Sequence, residues 1–508
     1  MKHKWTLLPS ILMGSLGVWL TGCSHDTQKE AAVTDSTRNS KPNIVVIVAD
    51  DLGWNDISAN GNKEIPTPHI DSIGKRGVHF TQGYATAPIC GPSRAGLITG
   101  RYQQRFGQEF QIHGKIKDPK ASKPLPGGYI EAYLPENYDC TAQGLPTDEM
   151  TLAKLLKDNG YRTGLVGKWH LGFEKQFWPE NRGFDSHFGF LGGGSTYADT
   201  LDEAVVYKDL PWVSSKKGMN RQEDRAIREN GQVIEVKEYL TTRFGKEAVK
   251  FIDANKDKPF YLQVTFNAPH TPVQAPKTYY ERFASVKDEN KRTYYAMIAA
   301  LDDAVGEILG KLKTLDLDKN TLVFFVGDNG GASYTRLTDN APLRGGKLTH
   351  YEGGVRVPFF VQWPEKLKAG HVYDKPVTHL DIFTTVAKAT GAKLPKKKYD
   401  GIDLLEYTEG EQQKTPHETL FWRSGYAKAV RKGNFKLIVN SEKGTQRLYD
   451  LTSDPGERKD LAKIKPGIAK DLSNTLAQWE SELKAPLWKS WRIGKVKIGE
   501  NEYYYSPL

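Results

Sequence analysis

Cysteine is scarce in this chain, with three residues in 508, at positions 23, 90 and 140. Three cysteines are too few for a disulfide framework, so Cys23, Cys90 and Cys140 each need their own explanation. Long apolar runs are scarce too. Past residue 20 no segment is apolar enough to span a bilayer. No internal repeat stands out. Helix-turn-helix, zinc-finger and RNA-binding patterns are absent. Acid is the minority charge: 61 Asp and Glu stand against 71 Lys and Arg, a net charge of +10 and a pI near 9.0. A diffuse positive field of this kind suits an anionic ligand, and without a nucleic-acid motif no nucleic-acid partner is expected. The local run Lys396-Lys397-Lys398 reads as a solvated loop.

The chain begins with what reads as a leader. Lys2, His3 and Lys4 precede an apolar run from Trp5 to Leu20, interrupted by Pro9 and two glycines and ending in Leu20-Thr21-Gly22-Cys23. That is the layout of a secretory signal, and it is short for a membrane span. Small residues before a cysteine resemble the bacterial lipobox. The resemblance implies a signal peptide over residues 1–22, lipidation of Cys23 and an exported bacterial lipoprotein of the outer membrane or periplasm. The alternative is an ordinary cleaved signal with Cys23 incidental. The polar stretch over residues 23–40 reads as a flexible tether.

Two buried strands end in acids. Asn43-Ile44-Val45-Val46-Ile47-Val48-Ala49 is a nearly continuous β-branched run, as expected for a strand covered on both faces, and Asp50-Asp51 follow at once. Thr321-Leu322-Val323-Phe324-Phe325-Val326 repeats the pattern, followed by Gly327-Asp328-Asn329-Gly330-Gly331. Adjacent carboxylates at the end of a buried strand are costly unless a cation neutralises them. Asp50, Asp51, Asp328 and Asn329 make an all-oxygen set, which suits Ca²⁺ or Mg²⁺ and not zinc.

Two more strands end in bases. Tyr161-Arg162-Thr163-Gly164-Leu165-Val166 runs into Gly167-Lys168-Trp169-His170, and Pro259 to Phe266 runs into Asn267-Ala268-Pro269-His270. In open α/β sheets ligands bind beyond the carboxyl ends of the strands, so Asp50/Asp51, Lys168/His170, His270 and Asp328/Asn329 are expected to face one crevice. Helices read between the strands. Thr147 is expected to cap one that stops at Asn159-Gly160. A stripe through Met297, Ile298, Leu301, Val305, Ile308, Leu309 and Leu312 makes another, with Asp302, Asp303 and Glu307 on a solvated face. The alternation predicts a doubly wound α/β core.

Cys90 opens a stiff, polar, cationic turn, Cys90-Gly91-Pro92-Ser93-Arg94, with Ala95-Gly96-Leu97-Ile98-Thr99-Gly100-Arg101 behind it. Pro92 fixes a dihedral and removes a donor. Gly91 and Gly96 let the backbone come close to something. Arg94 brings a permanent, forked positive charge near the sulfur. Taken alone, the residues fit an activated thiolate beside a cation or a buried structural cysteine.

Cys-x-Pro-Ser-Arg with Leu-x-Thr-Gly-Arg resembles the signature of the type I sulfatases, in the alkaline phosphatase superfamily, and matching motifs in the family's order extend from Pro42 to about Leu461. The resemblance implies a large, mixed, mostly parallel α/β sheet flanked by helices, with a smaller C-terminal domain of antiparallel sheet and helix. It implies that a formylglycine-generating maturation enzyme oxidises Cys90 to formylglycine (3-oxoalanine). The hydrated aldehyde then attacks sulfur, and the resulting sulfate ester collapses to release sulfate. It assigns Asp50, Asp51, Asp328, Asn329 and the modified Cys90 to Ca²⁺, Lys168 and Lys347 to the sulfuryl oxygens, and His270 to protonation of the leaving group. His170 takes the second hydroxyl's proton, and Arg94 orients the nucleophile. Lys347 comes from the glycine-rich stretch Ala341 to Pro358, which lacks P-loop spacing.

Residues 41–410 are expected to form the catalytic domain and residues 411–508 the small C-terminal domain. The latter has short strands at 417–423, 426–431, 435–439 and 447–451, then a helix near 468–483. Asp454-Pro455-Gly456-Glu457 resembles a turn common in sulfatase C-terminal domains. Two long insertions, Phe110 to Pro146 and Gly192 to Gly245, with Tyr197 and Trp212, are expected to carry aromatics and cations that recognise substrate. The expected substrate is a sulfated polysaccharide or its oligosaccharides. A formylglycine-dependent phosphonate or phosphate ester hydrolase and a catalytically dead glycan-binding lipoprotein are the alternatives.

Overall fold

The computed structural model describes residues 41–112, 142–198, 202–210, 214, 220–408, 415–490, 492–500 and 502–507, and the backbone of 123–125 and 128–132. The leader, Cys23, the tether, Cys140 and Trp212 lie outside the described residues.

The strand Asn43–Asp50 is buried along its whole length. Its β-branched side chains alternate between two cores. Val45, Ile47 and Ala49 pack with helices Leu240–Ala254 and Glu289–Thr314. Ile44, Val46 and Val48 pack with helices Cys90–Thr99, Leu152–Asp158 and Leu380–Thr390. A strand needs apolar residues at every position when both faces are covered, which is why the run reads as continuous. Parallel neighbours flank it, Phe260–Pro269 on one side and Thr321–Gly327 on the other. Arg162–Lys168 pairs parallel with Phe260–Pro269, and Ser186–Phe190 with Arg162–Lys168. These five parallel strands are the centre of a ten-stranded mixed sheet. Phe359–Gln362 continues it antiparallel.

The helices differ in detail from expectation. Thr151, not Thr147, caps Leu152–Asp158, its hydroxyl accepting the Lys154 N–H at 3.1 Å. Asp302 is buried, not solvated: its carboxylate accepts the His69 and Ile70 N–H groups at 3.2 and 2.8 Å. It satisfies the start of helix Pro68–Lys75, a long-range role that helical periodicity cannot reveal. The second insertion is not all loop, since helix Leu240–Ala254 begins inside it.

Four antiparallel strands, Thr419–Ser424, Ala427–Lys432, Phe435–Asn440 and Thr445–Asp450, and helix Pro466–Glu480 form the expected C-terminal arrangement. Its core is shared with the rest: Trp422, Ala427 and Tyr449 pack with Tyr84, Tyr351 and Val355. A further antiparallel sheet joins Arg492–Lys497 and Tyr503–Pro507 to Gly128–Ala132 and Lys123–Leu125. Residues 41–508 form one compact unit.

A buried ionic cluster ties the C-terminal sheet to the catalytic half. Lys436 donates to Glu352 Oε1 at 2.9 Å and lies 3.1 Å from Glu457 Oε1, with all three side chains at most 1% exposed. Tyr84 donates its hydroxyl to Glu352 Oε2 at 2.7 Å, and the Glu352 N–H donates to Glu457 Oε2 at 2.6 Å. Glu457 is the last residue of the Asp454-Pro455-Gly456-Glu457 turn and takes positive φ, which aims its carboxylate inward. Burial pushes Glu457 up to about 7, against the pull of Lys436. Burial would also raise Glu352, but Lys436, Arg356 and Arg431 hold it at about 2. Removing the one ammonium would leave buried Glu457 with no ion-pair partner among the described residues, and Glu352 with only Arg356 and Arg431 near it. Lys436→Met is therefore expected to lower the unfolding free energy by about 3–5 kcal/mol, read from the urea midpoint. Lys463→Met on the exposed surface should shift it by less than about 0.5 kcal/mol.

Candidate active site

Strand order, invisible in sequence, proves to be the one that gathers the predicted residues. Arg162–Lys168, Phe260–Pro269, Asn43–Asp50 and Thr321–Gly327 are consecutive and parallel, so their carboxyl ends lie side by side. Asp50 ends one strand, Lys168 another, and Asp328 follows a third. Lys168 Nζ lies 2.6 Å from Asp50 Oδ2, and both side chains are fully buried. Asp51 sits at φ 62°, a left-handed conformation that Asp tolerates better than most residues, and so turns away from the strand axis.

Helix Cys90–Thr99 supplies the centre. It is buried at every residue, with Cys90 at its first position. Cys90 Sγ lies 3.2 Å from Asp50 Oδ1 and 3.3 Å from Lys347 Nζ. One turn on, Arg94 donates to Asp328 Oδ2 from Nε at 2.9 Å and to the Lys168 carbonyl at 3.0 Å. Lys347 Nζ reaches both Asp51 oxygens, at 2.7 and 2.9 Å. His270 Nε2 stands 3.6 Å from Asp51 Oδ2, while Nδ1 lies 2.6 Å from the Thr271 carbonyl. His170 is buried at φ 60°. Its N–H donates to Leu191 O at 3.0 Å, and a Cβ on Gly193 would come within 3.0 Å of its imidazole.

The glycines act as close-approach positions. A Cβ on Gly91 would meet Gln111 Oε1 at 2.5 Å, and that oxygen accepts the Gly91 N–H at 2.9 Å. A Cβ on Gly96 would meet Thr86 Oγ1 at 2.4 Å. The turn 328–331 and the loop 344–354 interlock in the same way. A Cβ on Gly330 would fall 1.9 Å from Gly353 O, and one on Gly346 2.4 Å from Gly331 O. The Gly330 N–H donates to Gly354 O and the Lys347 N–H to Gly331 O, each at 3.0 Å. Asn329 and Lys347 are thus held by one clasp.

The site is also positioned by several groups that the sequence reading gave no role. Gln111 holds the first turn of the Cys90 helix. Ser93 donates to Asp328 O at 2.5 Å. Tyr197, an aromatic of the second insertion, is fully buried. Its hydroxyl donates to the His270 carbonyl at 2.7 Å and to the Asn267 carbonyl, fixing the turn that carries the histidine. Its ring stacks on Tyr239 in the core.

Charge dominates the site. Burial alone would raise Asp50, but Lys168, His270, Arg94 and Lys347 outweigh it and hold the carboxyl well below its usual range. Burial and Asp50 push Asp328 up to about 7. Burial and then Asp50 push the Cys90 thiol up, so these side chains alone do not make a thiolate there. Burial and Lys347 lower His270.

The cluster fits a divalent cation. Ligand atoms of Asp50, Asp51, Cys90 and His270 lie within 4.8 Å of one another. Asn329 Oδ1 is buried without a hydrogen-bond partner, although its Nδ2 donates to Asp51 Oδ1 at 2.8 Å. An orphaned buried carbonyl costs about 1–3 kcal/mol, and a hard cation beside it would satisfy it.

Buried carboxylates, lysines and a central cysteine at parallel strand ends on an α/β scaffold make a site suited to an anionic group beside a cation. The chain belongs to the sulfatase family: the family model "Sulfatase" matches residues 42–392, and that for the C-terminal part of N-sulphoglucosamine sulphohydrolase matches 346–482. Human steryl-sulfatase is 32% identical over 462 residues, 78% of this chain and 75% of that protein. Mouse N-acetylgalactosamine-6-sulfatase is 33% identical over 408 residues, 78% and 71% respectively. The crystal structure of Ps i-CgsB in complex with k-i-k-neocarrahexaose superposes with a TM-score of 0.74 at 33% identity, covering 88% of this chain and 94% of that one. The protein is a sulfuric ester hydrolase, with the mostly parallel α/β sheet and smaller antiparallel sheets of the family.

Gly330→Ala forces backbone apart at the clasp. It is expected to lower stability by about 1–3 kcal/mol and to weaken divalent-cation binding by displacing Asn329. Thermal unfolding with and without added CaCl₂ checks this: the wild type should gain more from the salt than the variant.

Proposed function

We propose that this sulfatase removes sulfate from a sulfated polysaccharide or its oligosaccharides, using formylglycine at position 90 beside a bound Ca²⁺. The observation that carries the proposal is the charge balance around Cys90. Three buried carboxylates, Asp50, Asp51 and Asp328, face three cations, Arg94, Lys168 and Lys347. With all three carboxylates ionised, as a cation beside Asp328 would make them, the side chains are neutral in sum. A divalent cation would leave two positive charges, matching one sulfate-ester anion and one ionised nucleophile oxygen.

Asp50, Asp51, Asp328, Asn329 and residue 90 would hold the ion, whose all-oxygen surroundings favour Ca²⁺ and leave Mg²⁺ open. When bound, it lowers the pKa of the nucleophile and offsets charge on the sulfuryl group. Oxidised and hydrated, residue 90 supplies two geminal hydroxyls, so no water has to attack sulfur. In the present structure the Cys90 sulfur stands where those oxygens would be. Lys347 Nζ, 3.3 Å from that sulfur, and the buried Lys168 are fixed positive groups in a dry pocket, ready for the sulfuryl oxygens. With Nδ1–H donated to Thr271 O, His270 exchanges protons at Nε2. By the family resemblance it gives the proton to the leaving alkoxide from that nitrogen. His170 takes the proton that releases sulfate. Arg94 bonds Asp328 and the Lys168 carbonyl, and so orients both sides of the site.

An oligosaccharide in the Ps i-CgsB complex supports a saccharide substrate. The N-terminal sequence supports export as a lipoprotein anchored through Cys23 at the outer membrane or in the periplasm, after a maturation enzyme has oxidised Cys90.

Four measurements test the reading. Peptide mass spectrometry of active protein should find an aldehyde at residue 90, and Cys90→Ser should lower sulfate release from sulfated oligosaccharides by roughly a thousandfold or more; wild-type turnover by this variant removes the nucleophile assignment. Chelation should abolish activity and Ca²⁺ should restore it. Aryl sulfate should be turned over with higher kcat/KM than the matching aryl phosphate, the reverse being the mark of a phosphate ester hydrolase.

A further inference from the structure

A concave basic groove lies beside the catalytic cluster and belongs to none of the catalytic residues. Its volume is about 750 Å³, and Lys291, Arg336, Arg344, Arg458 and Lys497 line it. Two acids also line it, Asp288 and Asp339. Both already accept backbone N–H groups, Asp288 from Asn290 and Lys291 at the start of helix Glu289–Thr314, and Asp339 from Ala341. Arg344 is committed to Glu502 and to the Glu457 carbonyl. Lys291, Arg458 and Lys497 form no ion pair among the described residues, and Arg458 and Lys497 are exposed. Cations on a convex surface are ordinary solvated charges. Unpaired ones converging on a cavity focus a positive potential within it.

The groove shares walls with the site. Gly345 lines it, and Lys347 follows two residues later, at most about 7 Å along the chain. Ile498 lines it too, and packs with Tyr334, Leu348, Val496 and Ile89, the residue before Cys90. Ile498 thus joins the groove wall to the segment that carries residue 90.

We propose that the groove is a subsite for a second anionic group, a sulfate on a neighbouring sugar of the same chain, so that the enzyme selects polysulfated over singly sulfated saccharides. This rests on the sulfated-saccharide reading above and narrows it. Arg458, Lys497 and Lys291 would supply charge-assisted contacts.

Titration calorimetry of the full chain with dextran sulfate, with neutral dextran as the blank, reads the groove without requiring turnover. The double variant Arg458→Ala/Lys497→Ala is expected to bind dextran sulfate about tenfold more weakly than wild type. Lys463→Ala/Lys470→Ala removes equal charge from exposed positions elsewhere and should bind as wild type does. Equal binding by the groove variant and wild type, equal loss in the control, or no binding by wild type would each overturn the proposal. In turnover, the groove variant should keep kcat/KM for a small aryl sulfate within about twofold while dextran sulfate inhibits it more weakly. Groove-dependent binding by a protein that releases no sulfate would leave the subsite standing and remove the catalytic reading instead.

Discussion

Three carboxylates and three cations packed out of water at the ends of parallel strands are the constraint on which the rest of the molecule depends. Lys168 and Asp50 are fully buried at 2.6 Å, and Arg94, Asp328, Lys347 and Asp51 lie nearly as deep. Desolvating each ion costs several kcal/mol, and mutual attraction at an effective dielectric near 20 returns about 4 kcal/mol per pair at 4 Å. The cluster roughly breaks even and contributes little to folding. Its geometry is instead imposed by the strands, whose apolar runs on both faces bring the stabilising burial.

The imposing structure extends further than the sheet. Glu352 is clamped by Lys436, Tyr84 and Glu457, and the next residue, Gly353, lies against Gly330 in the metal-side turn. Asn329 and Lys347 both take their positions from that clasp. The small C-terminal sheet, which supplies Lys436, therefore helps to position the active site, and the Asp454–Glu457 turn matters because it delivers one buried carboxylate.

This division explains what could be read in advance. A β-branched run followed at once by acids, or by Lys and His, is a local pattern, and all four strands and their terminal residues were legible from it. Strand adjacency is a long-range fact that no local pattern encodes. The same limit hid Asp302, which serves a helix start more than two hundred residues away, and Gln111, whose only mark is a glycine twenty residues earlier. Tyr197 lies in a polar stretch whose composition does not distinguish it, yet its ring and hydroxyl complete the packing behind His270. The hairpin Arg492–Pro507 gave no sign that its partners were residues 123–132.

Charge is neutral in sum at the centre and positive at the rim, and the two facts fit together. An anionic ester entering a pocket of unopposed lysines would be held as tightly before reaction as during it, which lowers KM without raising kcat. Pairing Lys168 and Lys347 with Asp50 and Asp51 moderates that ground-state attraction. Long-range attraction is left to the exposed cations, Arg458 and Lys497 among them, and to the net charge of +10. Attraction at the rim raises the rate of encounter, while the balanced centre reserves its positive charge for the oxygens on which charge develops as the sulfur–oxygen bond breaks.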